Sequence, residues 1–287
     1  MSGLRRGAAL ALTLALICSP SSHASDRYLT LASTTSTENS GLLDFLLARF
    51  REASGVEVRV VIAGTGQALR IGRNGDADVL LVHHRESEEA FVAAGYGESR
   101  HDVMFNDFVI VGPAADPAGL RGTEGARAAL ARVAAAHAVF VSRGDNSGTH
   151  KKEVDLWRAA GVDPTHSSGA WYRETGSGMG ATLNAASALD GYALADRGTW
   201  LRFRNKGTLE ILVEGDALLF NPYGVILINP ERHPHVKAAL GRSFIAWLLS
   251  TDGQREIAQF RIDGKQAFFP VLLAPRAGVM PPERATP

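Results

Sequence analysis

Four times in this sequence a short polar turn, rich in glycine and hydroxyl groups, separates an apolar strand-like run from a helical pattern. The turns are residues 33–37, 64–66, 143–149 and 175–180. Strands that alternate with helices at this spacing are typical of α/β layering with mostly parallel strands. The turns therefore predict an α/β fold.

The same alternation assigns elements along the rest of the chain. Strands are predicted over residues 28–31, 56–62, 78–82, 105–111, 139–142, 192–195, 209–213 and 223–228. Helices are predicted over residues 42–52, 67–73, 87–94, 125–137, 151–160, 181–188, 235–249 and 251–260. Two Pro-containing segments, residues 112–117 and 221–222, adjoin strong apolar strands and are candidates for the two crossings of a hinge.

Each polar turn has the chemistry of an anion site. Glycine lets the backbone approach a ligand, hydroxyl groups supply donors, and the following helix presents free N–H groups and the positive end of its dipole. Arg143 is the only cation in the four turns, and its guanidinium can bind two oxygens of one anion. Serine and threonine also cap helices, so capping is an equal alternative for any single turn.

Asp145, two residues after Arg143, has two interpretations. It either orients Arg143 as an ion-pair partner, or it accepts a hydrogen bond from a protonated oxyanion. The second role would favour hydrogen phosphate over fully ionised oxyanions. The residues alone leave both roles open.

Composition excludes several classes of protein. The 30 Lys and Arg residues balance the 30 Asp and Glu residues, so the basic surface of a nucleic-acid-binding protein is not expected. With 45% hydrophobic and 21% charged residues, the chain is not mainly disordered. One cysteine excludes both a disulfide framework and a cysteine-based zinc site.

Residues 1–24 have the features of a secretory signal peptide. Two arginines precede an apolar stretch over residues 8–18, and residues 22–24 (Ser-His-Ala) form a small-x-small cleavage signal. The apolar stretch is too short for a permanent membrane span. We expect cleavage near Ala24, which also removes Cys18, and an exported soluble protein; lipidation of Cys18 is the less favoured alternative.

Two segments contain residue types that can bind a metal ion. Residues 83–89 hold two His and three Glu, and residues 233–235 hold two His, but both are short and lack a spaced third ligand. We therefore predict no metal ligand and no cofactor. The sequence has no Gly-x-Ser-x-Gly nucleophile elbow, so we also predict that the protein is not an enzyme.

Several motifs together resemble the tungstate-binding proteins, the solute-binding components of bacterial tungstate ABC importers. The resemblance covers nearly the whole chain after the signal peptide and is specific in combination. The motifs are 34–37 (TTST), 40–43 (SGLL), 64–69 (GTGQAL), 75–83 (GDADVLLVH), 95–97 (GYG), 104–113 (MFNDFVIVGP), 142–150 (SRGDNSGTH), 174–180 (ETGSGMG) and 219–225 (LFNPYGV).

This resemblance implies a type II periplasmic-binding-protein fold, in which two α/β lobes with mixed, mostly parallel sheets are joined by a two-crossing hinge. Residues 25–112 and 223–287 would form the first lobe and residues 113–222 the second. A monomer in the periplasm would close around tungstate, with molybdate as competitor, and deliver it to an inner-membrane permease. The oxyanion ligands implied by the family are Thr34, Thr35, Ser36, Thr65, Arg143, Ser147, Thr149, Thr175 and Ser177.

Two alternatives remain at this stage. A phosphate-binding protein of an ABC importer would use the same turns, because phosphate-binding relatives carry a stretch similar to residues 143–149. An exported hydrolase of phosphate or sulfate esters is less favoured, because no nucleophile–base pair or metal cluster is evident.

Overall fold

A computed structural model describes residues 27–272, so the predicted signal peptide lies outside the described residues. The strands are β1 Tyr28–Thr34, β2 Glu57–Ala63, β3 Val79–Val82, β4 Gly97–Pro113, β5 Phe140–Ser142, β6 Tyr172–Glu174, β7 Ala193–Asp196, β8 Leu209–Val213, β9 Phe220–Ile228, β10 Arg261–Ile262, β11 Lys265–Gln266 and β12 Phe269–Pro270. The α-helices are α1 Thr35–Asn39, α2 Leu42–Ser54, α3 Thr65–Asn74, α4 Arg85–Ala93, α5 Gly125–Ala135, α6 Gly148–Ala159, α7 Met179–Ala188, α8 Arg197–Arg202, α9 Ala238–Leu249 and α10 Thr251–Gln259.

The first lobe is built on three parallel strands. β1 pairs with both β2 and β3, with Thr34 opposite Ala63 and Ser33 opposite Leu81. One face of this sheet packs against α2, α9 and α10, and the other packs against α3 and α4. Because helices cover both faces, all four residues of β3 are apolar and buried.

β4 and β9 carry the chain between the lobes. The first part of β4 pairs antiparallel with β9, from Gly97 opposite Ile228 to Asp107 opposite Phe220, and its second part pairs antiparallel with β7 and β8. Strands are parallel within the strand–helix units, as for β5 with β6. The prediction of mostly parallel sheets therefore does not extend to the crossing strands, since a chain that leaves a lobe and returns runs in opposite directions.

The core residues show where the chain passes from one lobe to the other. Met104 and Tyr223 belong to a first-lobe cluster, whereas Phe108, Val109 and Leu219 belong to the clusters around the second part of β4. At the second crossing these clusters lie on either side of the predicted boundary. At the first crossing the change of cluster falls between Met104 and Phe108, and the predicted lobe bounds stay predictions.

The predicted strands and helices are all present, with bounds that mostly differ by one to three residues. β4 differs most, since it begins at Gly97 rather than at residue 105. α6 begins at Gly148 rather than at residue 151, because the end of the polar turn forms the first helical turn. The short helices α1 and α8 were not predicted. Between residues 27 and 272, no helix combines the length and apolar character needed to cross a membrane.

Candidate functional site

The carboxyl ends of β1, β2 and β3 bring three chain segments to one edge of the first-lobe sheet. β1 ends at Thr34 and leads into α1, and β2 leads through Gly64 into α3, which begins at Thr65. β3 ends at Val82 and is followed by His83. Because the three strands are parallel, Thr34, Thr65 and His83 lie at the same edge.

The second lobe contributes the segment between β5 and α6. The buried Arg143 guanidinium binds Asp145 through Nη2, 2.5 Å from Oδ2, and through Nε, 3.2 Å from both carboxylate oxygens. Asp145 Oδ1 also accepts from the backbone N–H of Ser147 at 3.1 Å. Burial alone would raise the pKa of Asp145, but these donors hold it below its usual value. Of the two roles that the sequence left open, the structure gives Asp145 the orienting one.

Turns from the two lobes touch each other at the first turn of α6. The backbone N–H of Gly66 donates to the carbonyl oxygen of Asn146 at 3.2 Å. A Cβ on Gly148 would lie 2.8 Å from Thr65 Oγ1 and 3.0 Å from His83 Cε1. Gly148 therefore permits an approach that a side chain would prevent, and the lobes are closed upon each other at this point.

Unpartnered buried polar atoms concentrate at this junction. Within residues 27–272, six buried side-chain nitrogen or oxygen atoms have no hydrogen-bond partner, and four of them are Thr65 Oγ1, His83 Nε2, Arg143 Nη1 and Thr149 Oγ1. A buried polar atom without a partner costs about 1–3 kcal/mol, so such atoms are rare in folded proteins. Their concentration between two lobes indicates that a polar ligand is the missing partner.

Two of the predicted ligand residues act as helix caps. Thr34 Oγ1 accepts from the backbone N–H of Thr37 at 3.4 Å and lies 2.8 Å from its hydroxyl, while Ser147 Oγ accepts from the N–H three residues later at 3.1 Å. Ser36 is buried and Thr35 half-buried at the start of α1. For Thr34 and Ser147 the capping interpretation thus describes the hydroxyl group in this structure.

The fourth turn supports the third. Thr175 Oγ1 donates at 3.3 Å to the carbonyl oxygens of Ser142 and Arg143 and lies 3.0 Å from Thr182 Oγ1. The backbone N–H of Ser177 donates to the Arg143 carbonyl at 3.3 Å. These contacts lie within the second lobe and hold the backbone on either side of the Arg143 side chain. A direct role of Thr175 and Ser177 as anion ligands stays a prediction.

His83 belongs to this junction, although sequence reasoning weighed it only as a metal ligand. The ring is stacked on Tyr223, with centroids 4.8 Å apart, and is 4% exposed. Burial, followed by the charges of His84 and Arg143, lowers the pKa of His83 to about 4, so the ring is neutral in this state. The sequence did indicate His83 by its position, because it directly follows an apolar strand, as do the polar turns after β1 and β2.

Ser142, His150 and Glu153 lie together beneath the third turn, a grouping that sequence analysis did not find. Ser142 Oγ is 2.9 Å from Glu153 Oε2 and 3.3 Å from His150 Nδ1, and it accepts from Tyr172 Oη and Gly144 N. In a catalytic triad the histidine stands between the serine and the carboxylate. Here the carboxylate contacts the serine directly and the hydroxyl is fully buried, so the network supports the turn.

One cluster could hold a metal ion by its residue types. It consists of His84, Glu86 and Asp155, whose ligand atoms lie within 4.8 Å of one another. His84 Nδ1 accepts from the backbone N–H of Ser87, which caps α4, and His84 Nε2 lies 3.7 Å from Asp155 Oδ2. Burial and the charge of Lys151 lower the pKa of His84. These residues lie where α4 of one lobe meets α6 of the other, and the absence of a metal ligand here stays a prediction.

Comparison with known proteins agrees with this architecture. The PBP superfamily domain model matches residues 19–252. The tungstate-binding protein TupA of Peptoclostridium acidaminophilum is 46% identical over 249 residues, which cover 86% of this chain and 85% of that protein. Two solved structures are each 48% identical with a TM-score of 0.74: the tungstate-binding protein TupA from Desulfovibrio alaskensis, covering 85% of this chain and 98% of that one, and the tungstate ABC transporter from Geobacter sulfurreducens, covering 81% and 98%.

Proposed function

The chain belongs to the PBP superfamily and, within it, to the tungstate-binding proteins, and from this membership we propose that it captures a tetrahedral oxyanion for an ABC importer. Tungstate is the proposed ligand and molybdate its competitor. The captured anion is delivered to an inner-membrane permease. The protein acts as a binding component rather than as an enzyme, and it works as an exported monomer without a cofactor.

One observation carries the proposal. Where turns from the two lobes meet, Arg143 Nη1, Thr65 Oγ1 and Thr149 Oγ1 are buried without partners in the described part of the chain. All three groups can donate hydrogen bonds, and two of them lie in the first turn of a helix, at the positive end of its dipole. A site made of donors and helix N-termini fits an anion that carries only acceptor oxygens.

The same geometry suggests how affinity and closure are connected. A tetrahedral dianion is costly to dehydrate, so each oxygen must receive donors inside the cleft. The first lobe supplies Thr65 and the second lobe supplies Arg143 and Thr149. An anion that contacts donors of both lobes binds the closed state more tightly than the open one, and therefore shifts the population towards closure.

The remaining members of the proposed shell contribute in two ways. Thr35 and Ser36 lie at the start of α1, beside the capping residue Thr34, and present backbone N–H groups and hydroxyl groups near the anion. Thr175 and Ser177 contact the Arg143 carbonyl oxygen and fix the backbone that carries the side chain, while the Ser147 backbone N–H holds Asp145, the partner of Arg143. Selectivity against sulfate follows from size, because donors spaced for the larger anion lie too far from the oxygens of the smaller one.

Titration calorimetry of the protein without residues 1–24 tests the proposal with tungstate, molybdate, sulfate and phosphate. The expected result is tight binding of tungstate, with molybdate measurable and sulfate and phosphate silent. Tight phosphate binding with tungstate silent would assign the site to the alternative importer class. Silence from all four anions would mean that the turns only cap helices, and turnover of a chromogenic phosphate or sulfate ester would revive the hydrolase alternative.

A further inference from the structure

The tautomer of the neutral His83 ring is fixed by a buried amide. The Asn221 side-chain nitrogen donates to Asn106 Oδ1 at 2.6 Å and to Asp196 Oδ2 at 3.1 Å. The Asn221 oxygen is therefore the atom that faces His83 Nδ1, 3.0 Å away, and it can only accept. Nδ1 of His83 must carry a hydrogen, and in the neutral ring Nε2 carries none.

His83 Nε2 is consequently a buried acceptor without a donor. The side chain is 4% exposed, and no residue between 27 and 272 forms a hydrogen bond with Nε2. A Cβ on Gly148 would lie 2.8 Å from Thr65 Oγ1, 3.0 Å from His83 Cε1 and 3.3 Å from His83 Nδ1, so the ring lies at the lobe junction with its Cε1–Nδ1 edge towards Gly148. Nε2 is bonded to Cε1 and is, among residues 27–272, one of the buried unpartnered atoms of the same junction.

The positive charge of the site is too small to neutralise a bound dianion. Arg143 is already paired with Asp145, so the two together contribute no net charge. Helix N-termini supply only partial positive charges. A buried anion of charge −2 therefore favours any nearby group that can become positive, because opposite charges attract strongly where water is excluded.

We propose that His83 is a further member of the anion shell and that it takes up one proton at Nε2 when the oxyanion binds. The proton comes from solvent, and Nε2–H then donates to an anion oxygen while Nδ1–H remains on Asn221. This inference rests on the proposed function, and it adds a residue and a proton to the site. It makes oxyanion affinity increase as the pH falls.

The groups around the ring are consistent with this coupling. Arg143 and His84 oppose protonation in the empty site, while Tyr223, stacked on the ring, has a pKa raised by burial and stays neutral. Asp196 lies behind Asn221, and burial raises its pKa, although it accepts four hydrogen bonds. Without anion the ring is neutral above about pH 4. A bound dianion favours the charged ring and raises the pKa of His83.

Titration calorimetry with tungstate, performed in two buffers that differ in ionisation enthalpy, measures the number of protons taken up on binding. The titrations are repeated at several pH values between about 7 and about 9. The wild-type protein is expected to take up one proton on binding, and its affinity for tungstate should fall by at most about tenfold for each unit by which the pH rises. The H83Q variant keeps an N–H donor at this position but cannot titrate. Tungstate should therefore bind to it without uptake or release of a proton, and with an affinity that does not depend on pH. H83L lacks the donor and should bind at least about tenfold more weakly.

His166, whose side chain is 88% exposed, provides the matched control, and H166Q should behave as wild type. The unfolding free energy of each variant is measured in parallel, so that loss of folding is recognised. Two results would overturn the inference and leave the proposed function intact. The first is tungstate binding by the wild-type protein without proton uptake, and the second is equal proton uptake by the wild-type protein and H83Q. Absence of tungstate binding by the wild-type protein overturns both.

Discussion

At the scale of single residues, Arg143 is the group on which the anion depends most. Its side chain is 3% exposed and is held by Asp145 through Nε and Nη2, while Nη1 has no partner within the described residues. Arg143→Ala should weaken tungstate binding about ten- to hundredfold, because a charge-assisted hydrogen bond is lost. Calorimetry of the folded variant measures the effect. Wild-type affinity in a folded Arg143→Ala protein would remove Arg143 from the shell.

Thr149 and Thr34 separate ligand binding from helix capping. Thr149 Oγ1 has no partner among residues 27–272, so Thr149→Val should weaken tungstate binding about fivefold and leave the unfolding free energy nearly unchanged. Thr34 Oγ1 caps α1, so Thr34→Val should lower the unfolding free energy by about 1 kcal/mol. Calorimetry and urea unfolding of both variants provide the comparison. Equal effects of the two changes on unfolding would contradict the distinction.

The residue scale also shows what the sequence could predict about the site. Hydroxyl groups and the single arginine of the turns were visible as residue types. Ser147 caps its own helix through a residue three positions later, whereas the hydroxyl of Thr65, which is left without a partner among residues 27–272, lies beside Gly148 only because the lobes meet there. His83 was missed because its role depends on Asn221, which is 138 residues away in sequence.

At the scale of elements, the first turn of α6 decides how closely the lobes approach. Gly148→Ala introduces a Cβ 2.8 Å from Thr65 Oγ1 and 3.0 Å from His83 Cε1, both in the other lobe. Alanine suits a helix, so the unfolding free energy should not fall. Tungstate affinity should fall at least about tenfold, because the lobes cannot close fully on the anion.

Calorimetry and urea unfolding of Gly148→Ala distinguish closure from folding. Scattering measurements with tungstate present should report a more open molecule than the wild type. A variant that closes and binds as the wild type does would show that α6 and α3 can shift apart without cost to the site.

The elements themselves were largely predictable. Long apolar or amphipathic segments such as α2, whose Leu42, Leu43, Leu46 and Phe50 are buried, carry their period in the sequence. α1 escaped prediction because its five residues, Thr35–Asn39, include no apolar side chain. The start of β4 escaped it because residues 97–102 are mostly polar and are held by antiparallel pairing with β9. Pairing between distant strands leaves no local pattern to read.

At the scale of the whole molecule, contacts beyond the anion site join the two lobes. Lys151 Nζ in α6 donates to Ser87 Oγ in α4 at 2.9 Å, and the His84–Asp155 pair lies beside it. Neither contact involves a residue of the proposed shell. The closed state thus receives part of its stability from a surface that the ligand does not touch, so affinity depends on this surface as well.

Lys151→Met tests this dependence, since it keeps most of the apolar stem and removes the contact with Ser87. Tungstate affinity should fall about three- to tenfold, mainly through faster release, because one hydrogen bond of the closed state is lost. Stopped-flow release and calorimetry measure the change. Lys265→Met, at an exposed lysine of β11, is the matched control and should bind as the wild type does.

A double-mutant cycle with Ser87→Ala shows whether the effect belongs to the contact itself. If Lys151 acts through Ser87, the double variant should release tungstate no faster than the Lys151→Met variant. Additive effects of the two changes would mean that Lys151 attracts the anion by its charge alone. In that case the weakening should shrink as salt is added, because an unpaired surface charge is screened and a short hydrogen bond between closed lobes is not.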